Sequence, residues 1–352
     1  MLIKMSGKIR IAVLYGGRSA EHEVSLKSAE NVFNSIDTGK YEIIRVFIDK
    51  KGNWFLGDRP VLISQNFNQH ELVDYQTAEK IVGIDVLYPV LHGPYGEDGS
   101  VQGLAKLAGL PCVGPGILAS AVGMDKDVAK RLLRDSGIEV AKFVTLRKSK
   151  MSQINYQDIV KCLGNELFIK PANMGSSVGV SFSSNQQEFT KALQEAFLYD
   201  EKIIVEEKIV GREIECAVLG NDEPKASIPG EIVPTKSFYS YESKYLDEKD
   251  ARLDIPAKLS DELIQKVRDL ALKTYQCLEC KGMTRVDMFL RPNGELIINE
   301  INTLPGFTKI SLYPAMWEYS GIPQSQLVDM LIQYAIEEFE KQSKLESSAF
   351  RE

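Results

Sequence analysis

The sequence lacks several features that would assign a protein to a large functional class. Its 352 residues contain no apolar run of about 18 residues, the length that spans a bilayer, so we expect no transmembrane helix. The N-terminus has no long apolar stretch followed by a small-residue cleavage site, and we expect no secretory signal. Positive charge is not in excess, since 42 Lys and Arg stand against 49 Asp and Glu, for a formal net charge of −7. This balance argues against nucleic acid or an anionic membrane as a partner.

Cysteine is also scarce, and two nucleotide fingerprints are missing. The five Cys are irregularly spaced, which is typical of a reducing cytoplasm and not of a disulfide framework. Cys277 and Cys280 form a lone C-x-x-C, which we interpret as part of a helix end and not as a zinc or redox site. No G-x-x-x-x-G-K-[ST] occurs anywhere, and the pair Gly16-Gly17 is not part of a G-x-G-x-x-G. The sequence therefore predicts neither a P-loop nor a dinucleotide-binding site.

The apolar segments predict an α/β protein of more than one domain. A chain of this length is too long for one ordinary core. In the first third, apolar segments at 9–15, 43–48 and 84–90 alternate with helical patterns, and a short strand is expected at 111–113. Such alternation predicts a parallel sheet covered on both faces. Ligands of these sheets bind beyond the carboxyl ends of the strands, where we expect the functional loops.

Strands and helices continue to alternate beyond the first third. Residues 125–136 predict a helix, and a small unit of strands and helices follows it. In the last third, strands at 283–290 and 295–300 are joined by a Pro-Asn-Gly turn, a strong hairpin signal. A polar and aromatic segment at 236–250 suits a loop that closes over a site better than a core.

Two polar motifs follow predicted strands of the N-terminal sheet. Residues 19–25 (SAEHEVS) place two carboxylates, an imidazole and two hydroxyls at the start of a helix. One Glu can cap that helix, and the other is available to bind a ligand ammonium group. Residues 92–100 (HGPYGEDGS) contain three glycines that let the backbone approach a ligand closely. A lone His is often structural, but its position at the predicted ligand edge favours a functional role for His92.

A lysine at a strand end, followed by a Gly/Ser-rich loop, predicts a phosphate site. Residues 170–180 (KPANMGSSVGV) begin with Lys170, and the loop can point consecutive backbone N–H groups at phosphate oxygens. A flexible hairpin is the structural alternative. The strand end at 205–208 is followed by Glu213, and together they could present backbone and a carboxylate to an adenine and a ribose. Taken alone, this second motif is weak.

The strongest motif combines two carboxylates, an amide and a guanidinium. Arg285 and Asp287 lie on one predicted strand, and Glu300 and Asn302 lie on the next. Residues i and i+2 of a strand share a face, and the hairpin brings the two pairs together. Hard oxygen ligands of this kind suit Mg²⁺ that bridges nucleotide phosphates, whereas a salt-bridged sheet face is the structural alternative. The loop 303–308 that follows could offer backbone N–H groups to an oxyanion.

In this order, the motifs resemble those of the ATP-grasp superfamily and, within it, of the D-alanine–D-alanine ligases. The resemblance covers roughly residues 9–335 and rests on GGRSAEHEVSL, LHGPYGEDGSVQG, GMDKDVAKRLL, IKPANMGSSVGV, FYSYESKY, RVDMFL and NEINTLPGFT. Each segment is moderately specific, whereas the ordered set is highly specific. The resemblance implies an α/β, three-domain ATP-grasp fold. Its implied parts are an N-terminal parallel-sheet domain at 1–122, a central domain at 123–211, a C-terminal domain at 212–340 and a tail at 341–352.

The resemblance also implies an activity, cofactors and a cellular setting. The implied reaction is ATP-dependent ligation of two D-alanines through an acyl phosphate, for peptidoglycan precursor synthesis. The implied cofactors are ATP and two Mg²⁺ ions, which Mn²⁺ can replace. A homodimer in the cytoplasm is implied as well.

Individual residues receive roles from the same resemblance. The implied ATP contacts are Lys126 and Lys170 at the phosphates, Gly175, Ser176, Ser177 and Val178 in the loop over them, Glu206, Glu207 and Lys208 beside adenine, Glu213 at the ribose, and Lys244. The implied metal ligands are Asp287, Glu300 and Asn302. The implied catalytic and substrate residues are Glu21 and His92 at the first D-alanine, Ser176 near the transferred phosphate, Arg285 and Gly306 at the oxyanion, Ser311 and Leu312 at the second D-alanine, and Tyr245 in a closing loop.

Ligases of the same family that use another second substrate are the alternatives. The resemblance implies a His in the closing loop of D-lactate-using members, where this sequence has Lys244 and Tyr245. In D-serine-using members it implies an Arg at the position of Leu312. We expect D-alanine at both sites with weak use of D-serine, because a hydrophobic wall rejects a hydroxyl by on the order of a hundredfold at best. The full set of lysines, carboxylates and Arg285 argues against a non-catalytic nucleotide-binding regulator.

Overall fold

The fold is that of a computed structural model, which describes residues 7–66, 69–234 and 251–345. Three sheets follow one another along the chain, and helices cover them. Within the described ranges, none of the helices combines the length and the apolar character that crossing a membrane requires. The mixed α/β class predicted from the sequence is confirmed.

The N-terminal sheet is built around three parallel strands. Strand β1 (Ile9–Gly16) pairs in parallel with β2 (Tyr41–Ile48) on one side and with β7 (Val86–Val90) on the other, as the apolar segments predict. The predicted strand at 111–113 is wrong, because its Cys112 makes only an isolated bridge. Four further strands continue the sheet beyond β2: β3 (Trp54–Leu56), β4 (Arg59–Ile63), β5 (Glu71–Asp74) and β6 (Lys80–Gly83).

These four added strands pair in antiparallel fashion, whereas the sequence predicted a parallel sheet. They are short, and the connection between β3 and β4 is far too brief for the crossover that a parallel pair needs. The helices of this part are α1 (His22–Ser35), α2 (Ser100–Leu107) and α3 (Ile117–Met124). Helix α3 runs across the domain boundary expected after residue 122, and its Gly123 lies against Ile301 of the third sheet.

The central part is a four-stranded antiparallel sheet in the order β10-β9-β11-β8. Its elements are α4 (Lys126–Asp135), β8 (Phe143–Arg147), a 3₁₀ segment (Lys148–Gln153), α5 (Tyr156–Leu163), β9 (Leu167–Pro171), β10 (Ser181–Ser183), α6 (Gln186–Tyr199) and β11 (Lys202–Glu207). Helix α4 begins where Asp125 caps it by accepting from the Val128 N–H at 3.1 Å. It ends before Gly137, whose φ of +67° is the left-handed conformation that stops helices.

The C-terminal sheet has the order β15-β14-β12-β16-β17, with a short β13 paired to β12. Its elements are β12 (Arg212–Gly220), β13 (Lys225–Ala226), β14 (Gly230–Pro234), β15 (Ala251–Asp254), α7 (Asp261–Cys277), β16 (Gly282–Leu290), β17 (Leu296–Asn302), α8 (Leu312–Tyr319) and α9 (Gln324–Ser343). The predicted hairpin joins β16 and β17, and the Gly294 N–H donates to the Arg291 carbonyl at 2.9 Å. The predicted loop at 236–250 lies outside the described residues. The tail expected at 341–352 is helical at its start, because α9 continues to Ser343, and residues 346–352 lie outside the described part of the chain.

One apolar core continues from the N-terminal sheet into the C-terminal part. Val13 and Val86 of the first sheet share it with Ala217 of the third sheet and with Leu331 of α9. A polar contact reinforces this junction, because the Tyr41 hydroxyl donates to Asp329 of α9 at 2.7 Å. Burial of this continuous apolar surface favours a fixed arrangement of the two sheets. The loops at their edges therefore meet in a defined geometry.

Candidate active site

Loops from the N-terminal and central sheets meet at Glu21, which directly precedes α1. Its side chain is buried, and the Ser176 hydroxyl donates to it across the two sheets. Two glycines make room for this carboxylate. A Cβ on Gly93 would lie 2.7 Å from a Glu21 oxygen, and a Cβ on Gly175 would lie 2.9 Å from it, both too close for real atoms. Both motifs therefore pack closely around Glu21, because each has a glycine where a Cβ would clash with this carboxylate.

The Gly/Ser loop after β9 has an unusual backbone. Ser176 and Ser177 have φ values of 52° and 61°, in the left-handed region that few residues other than glycine adopt. The loop is closed by hydrogen bonds from the Val178 N–H to Gly175 and from the Val180 N–H to Ser177, each 3.1 Å. The loop is a turn up to residue 180, and strand β10 begins at Ser181. A strained turn of this kind is typical of ligand-binding loops.

His92 follows β7 and is buried between the N-terminal helix and the loop after β17. Its Nδ1 donates to the Leu304 carbonyl at 3.0 Å, and its Nε2 lies 3.1 Å from the Ser28 hydroxyl. Burial alone would lower the pKa of His92, but the Glu97 carboxylate, 3.8 Å from Nδ1, and the charge of Glu21 raise it above its usual value. The imidazole is therefore able to carry a proton beside Glu21.

The loop 303–308 is held by the N-terminal helix α1. Its Phe307 N–H donates to the Ser28 hydroxyl at 3.2 Å, and Asn31 of α1 donates to the Phe307 carbonyl at 2.8 Å. Gly306 lies against Ser311, because a Cβ on this glycine would be 2.9 Å from the Ser311 hydroxyl oxygen. These contacts set the direction of the backbone at the position predicted to bind an oxyanion.

Ser311 and Leu312, predicted to receive the second substrate, occupy different surroundings. The Ser311 hydroxyl accepts from the Thr308 N–H at 2.9 Å at the start of α8. The Leu312 side chain is buried in the apolar core and packs over Gly230 of β14. A cationic side chain in place of Leu312 would have to leave this core or carry a charge into it.

The C-terminal sheet aligns three carboxylates across neighbouring strands. Glu215 of β12 is opposite Asp287 of β16, which is opposite Glu300 of β17. Arg285 pairs with Asp287 through two contacts of 2.7 Å and with Glu215 at 2.9 Å. The Asn302 side-chain oxygen is buried beside this row without a hydrogen-bond partner among the described residues. Such an oxygen, next to two carboxylates, is suited to a hard cation.

Lys126 connects the Gly/Ser loop to this carboxylate row. Its ammonium group donates to the Met174 carbonyl at 2.7 Å and lies 3.3 Å from Glu300. Lys202 of β11 pairs with Asp125 and Asp127 at the start of the same helix, which fixes the position of Lys126. The sequence predicted Lys126 at the nucleotide phosphates, and the structure places it between the loop and the predicted metal ligands.

Glu206 lies between two lysines at the centre of the site. One of its oxygens is 2.6 Å from Lys170 Nζ, and the other is 2.7 Å from Lys130 Nζ. Burial favours the neutral carboxyl, but the two ammonium groups prevail and lower the pKa of Glu206 to about 2. Lys170 also reaches the Asn299 side chain at 3.3 Å. The residue predicted to border adenine is therefore an ionised carboxylate enclosed by cations.

The remaining predicted nucleotide residues lie around the end of β11. Glu207 accepts from the Lys142 N–H at 3.0 Å, and Lys208 pairs with Glu166 at 2.6 Å. Burial lowers the pKa of Lys170, but Glu206, Glu300 and, to a smaller extent, Glu213 of β12 raise it above its usual value. The predicted residues Lys244 and Tyr245 lie outside the described part of the chain.

Three side chains of the site were not identified from the sequence. Lys130 is one helical turn beyond Lys126 on α4, and Glu215 is two residues beyond Glu213 on β12. Both spacings place a residue on the same face as a predicted one, and this signal was present in the sequence. Ser28 of α1 had no local signal, because its partners are far along the chain.

The sequence matches two family descriptions that together cover most of the chain. Residues 10–115 match "D-ala D-ala ligase N-terminus", and residues 132–333 match "D-ala D-ala ligase C-terminus". A D-alanine–D-alanine ligase of Oceanobacillus iheyensis is 47% identical, over 97% of this chain and 99% of that protein. D-alanine–D-alanine ligase A of Escherichia coli K12 is 46% identical, over 94% and 96% of the two chains.

Solved structures of this kind share the fold. The D-alanine–D-alanine ligase of Coxiella burnetii is 39% identical with a TM-score of 0.84, covering 96% of this chain and 98% of that chain. The VanG D-Ala:D-Ser ligase of Enterococcus faecalis is also 39% identical, with a TM-score of 0.85 over 94% and 100% of the two chains. The ATP-grasp fold predicted from the motifs is thereby confirmed, and the chain belongs to the D-alanine–D-alanine ligase family.

Proposed function

We propose that the protein joins two D-alanine molecules into D-alanyl-D-alanine for peptidoglycan precursor synthesis, converting ATP to ADP and phosphate. The observation that carries the proposal is the meeting of three elements. The Gly/Ser loop contacts Glu21 through Ser176, and Lys126 joins that loop to Glu300. A loop suited to phosphate, an acid suited to an ammonium group and oxygen ligands suited to a cation thus lie together. The named activity of relatives 46% and 47% identical supports the same reaction.

ATP fits between the central and C-terminal sheets in this proposal. Lys126 and Lys170 balance the charge of the phosphates, and the backbone of residues 175–178 contributes N–H donors. Glu206 accepts from the amino group of adenine, and Glu213 accepts from the ribose. Glu207 and Lys208 border the base, since they continue the same strand end.

Two divalent cations, Mg²⁺ or Mn²⁺, are held by Asp287, Glu300 and Asn302. The buried Asn302 oxygen, which has no hydrogen-bond partner among the described residues, supports this, as does the oxygen-only donor set. Among the described residues, no group of three or more His, Cys, Asp and Glu side chains would hold a metal by itself, and Asn302 would add an amide oxygen to the two carboxylates. Bound cations would neutralise charge on the phosphates. Arg285 releases Asp287 when that carboxylate becomes a ligand, and its contact to Glu215 retains it in the site.

The first chemical step activates a carboxylate, which is a poor electrophile. Glu21 binds the ammonium group of the first D-alanine, and His92 lies beside that substrate. A carboxylate oxygen of D-alanine attacks the γ-phosphorus of ATP, and the bond from that phosphorus to the bridging oxygen breaks. ADP leaves with the bonding electrons, and D-alanyl phosphate forms. Ser176 and the two lysines stabilise the charge on the transferred group, so most of the catalysis is positioning and electrostatics.

The second step forms the amide. The neutral amine of the second D-alanine, placed by Ser311 and Leu312, attacks the carbonyl carbon of the acyl phosphate. Arg285 and the Gly306 N–H stabilise the oxyanion of the tetrahedral intermediate. The carbon–oxygen bond to phosphate then breaks, phosphate leaves, and the nitrogen loses a proton. Water would hydrolyse the acyl phosphate, which is why a closing loop bearing Lys244 and Tyr245 is part of the proposal.

D-Serine as second substrate is the alternative, because one structural relative is a D-Ala:D-Ser ligase. The burial of Leu312 in the apolar core favours D-alanine, since the residue offers a hydroxyl no hydrogen-bonding partner. The test is phosphate release with ATP, Mg²⁺ and a panel of D-alanine, D-serine and D-lactate, followed by mass identification of the products. We expect D-alanyl-D-alanine as the main product in equimolar competition, and a predominant mixed product would overturn the assignment.

The metal ligands are tested in the same assay. The double variant Asp287→Asn, Glu300→Gln should remain folded by circular dichroism and lose nearly all ligation. Near-normal activity at ordinary Mg²⁺ would contradict the metal assignment. The homodimer and the cytoplasmic location remain predictions, and light scattering of the purified protein and fractionation of cells would test them.

A further inference from the structure

Lys130 is a buried lysine that the proposed reaction does not use. It lies on α4 one turn after Lys126, and its side chain is 3% exposed. Its ammonium group is 2.7 Å from Glu206, whose side chain is equally buried. Lys130 Nζ and Glu206 Oε1 make no aligned hydrogen bond with any described residue, so their contact is an ion pair. A buried lysine is costly unless a charge compensates it, and here Glu206 is that charge.

Glu206 has a second cationic neighbour, which differs from Lys130 in one respect. Lys170 is 2.6 Å from Glu206 but also reaches Asn299, next to the metal ligand Glu300. In the proposed function, Lys170 balances the charge of the phosphates, so that ATP competes with Glu206 for its ammonium group. Glu206 would then lose one of its two cations while it is enclosed by protein and nucleotide. A carboxylate in that position needs another fixed positive charge to stay ionised.

We propose that Lys130 is a positioning residue for the nucleotide: it keeps Glu206 ionised and in place to accept from the adenine amino group while Lys170 binds the phosphates. This inference rests on the proposed function, because it requires ATP as the ligand. Lys130 does not touch the reacting atoms in this proposal. It acts through Glu206 alone, and its removal should affect ATP and not D-alanine.

The charged groups around Glu206 support separate roles for Lys130 and Lys170. Lys130 comes from α4 and Lys170 from β9, while Glu300 of β17 and Glu213 of β12 act on these lysines. Burial lowers the pKa of Lys130, and Lys170 adds to this, whereas Glu206 opposes it. Departure of Lys170 toward phosphate therefore removes a repulsion from Lys130 and strengthens its pairing with Glu206.

The competing explanation is that the Lys130–Glu206 ion pair only stabilises the fold. Three variants distinguish this explanation from a role in positioning the nucleotide. Lys130→Met removes the charge and keeps an apolar stem, whereas Lys130→Arg keeps the charge. Lys266→Met is the matched control, because this helical lysine forms an exposed pair with Glu262. Calorimetry with ATP and Mg²⁺, without D-alanine, measures nucleotide binding in the absence of turnover.

We expect Lys130→Met to weaken ATP binding by about tenfold or more, with Lys130→Arg and Lys266→Met close to wild type. The KM for D-alanine should stay unchanged. Relative to wild type, the variant should bind ATP still more weakly as the pH falls from about 8 to about 6, because a Glu206 without its cation takes up a proton and is then a poorer acceptor for the adenine amino group. A lysine that only stabilised the fold would not produce this pH dependence.

Several outcomes would overturn the inference. ATP affinity of Lys130→Met within twofold of wild type, or a loss without the pH dependence, would show that Lys130 is only structural. The double variant Glu206→Gln, Lys130→Met is compared with Glu206→Gln alone. If Lys130→Met lowers ATP affinity as much in this background as in wild type, Lys130 contacts the nucleotide directly. If Lys130→Met does not fold, Lys130→Gln provides the same readouts, since its amide can still donate to Glu206. Failure of the wild-type protein to bind ATP would instead contradict the proposed function itself.

Discussion

Two carboxylates of this protein have nearly the same neighbours in very different surroundings. The clusters are Glu206 with Lys130 and Lys170, which we call the buried cluster, and Asp222 with Lys281 and Lys341, which we call the surface cluster. The nearest oxygen–nitrogen distances are 2.7 and 2.6 Å in the buried cluster, and the Lys281 distance in the surface cluster is also 2.7 Å. In each, two lysines lower the carboxyl pKa to about 2.

The difference between the clusters is exposure to water. The Glu206 side chain is 3% exposed, whereas the Asp222 side chain is 58% exposed. Water and salt screen the surface cluster, so its ion pairs contribute little to stability. In the buried cluster, each charge depends on its partner because solvent cannot replace it. The same contacts are thus dispensable at one place and essential at the other, and burial decides which.

The largest effect should follow from breaking the buried cluster. Glu206→Ala leaves two buried ammonium groups without their counter-charge and should lower the unfolding free energy by about 3–5 kcal/mol. Urea denaturation at neutral pH measures this. A loss of unfolding free energy no larger than that of a surface ion pair would mean that water reaches the buried cluster. It would contradict the conclusion that burial distinguishes the two clusters.

The stabilisation that Glu206 contributes in the buried cluster should also depend on pH. The folded-state pKa of Glu206 is lowered from 4.5 to about 2, so its stabilisation is complete above the unfolded value and is lost as the pH falls through this range. Between about pH 5 and pH 3, the wild-type protein should therefore lose roughly 2 kcal/mol of unfolding free energy that the Glu206→Gln variant does not lose. Denaturation of both proteins between about pH 5 and pH 3 tests this. Parallel curves for the two proteins would contradict it.

Lys170→Ala should have an intermediate effect, directed at the nucleotide. Loss of a charge at phosphate should weaken ATP binding by about tenfold to a hundredfold, while Lys130 still pairs with Glu206 and the protein stays folded. Calorimetry with ATP and D-alanine in separate titrations gives both affinities. An unchanged affinity for ATP would show that the Gly/Ser loop is only a turn.

Asp222→Asn should have the smallest effect. The variant should differ from wild type by less than about 1 kcal/mol in unfolding free energy, and ATP turnover should be normal. High salt should remove even this difference, because it screens exposed charges. Denaturation at low and high salt measures both points, and a large, salt-independent loss would show that the surface cluster behaves like the buried one.

Much of the fold was predictable because local patterns dominate there. Strands β1, β2 and β7 are rich in apolar residues, and helix α4 has both a capping Asp125 and a terminating Gly137. The short strands β3 to β6 were not predictable, since segments of three to five residues carry little periodicity. The expected strand at 111–113 failed for the same reason.

The candidate site was predictable where its residues lie in motifs with a chemical pattern. Asp287, Glu300 and Asn302 follow from strand alternation and a hairpin, and the glycines beside Glu21 follow from the need for close approach. Lys130 was missed because it lies in an ordinary amphipathic helix, where a lysine is usually exposed.

Spacing along the backbone sets which chemical groups share a strand or a turn, so these relations could be read from the residue order alone. Which groups lose contact with water, and which charges they then depend on, follows from the packing of segments that are distant along the chain. It enclosed Glu206 between two lysines from separate elements and left Asp222 at the surface. The reason is physical: the energy of a charge depends on the solvent and partners around it, and packing of distant segments sets both.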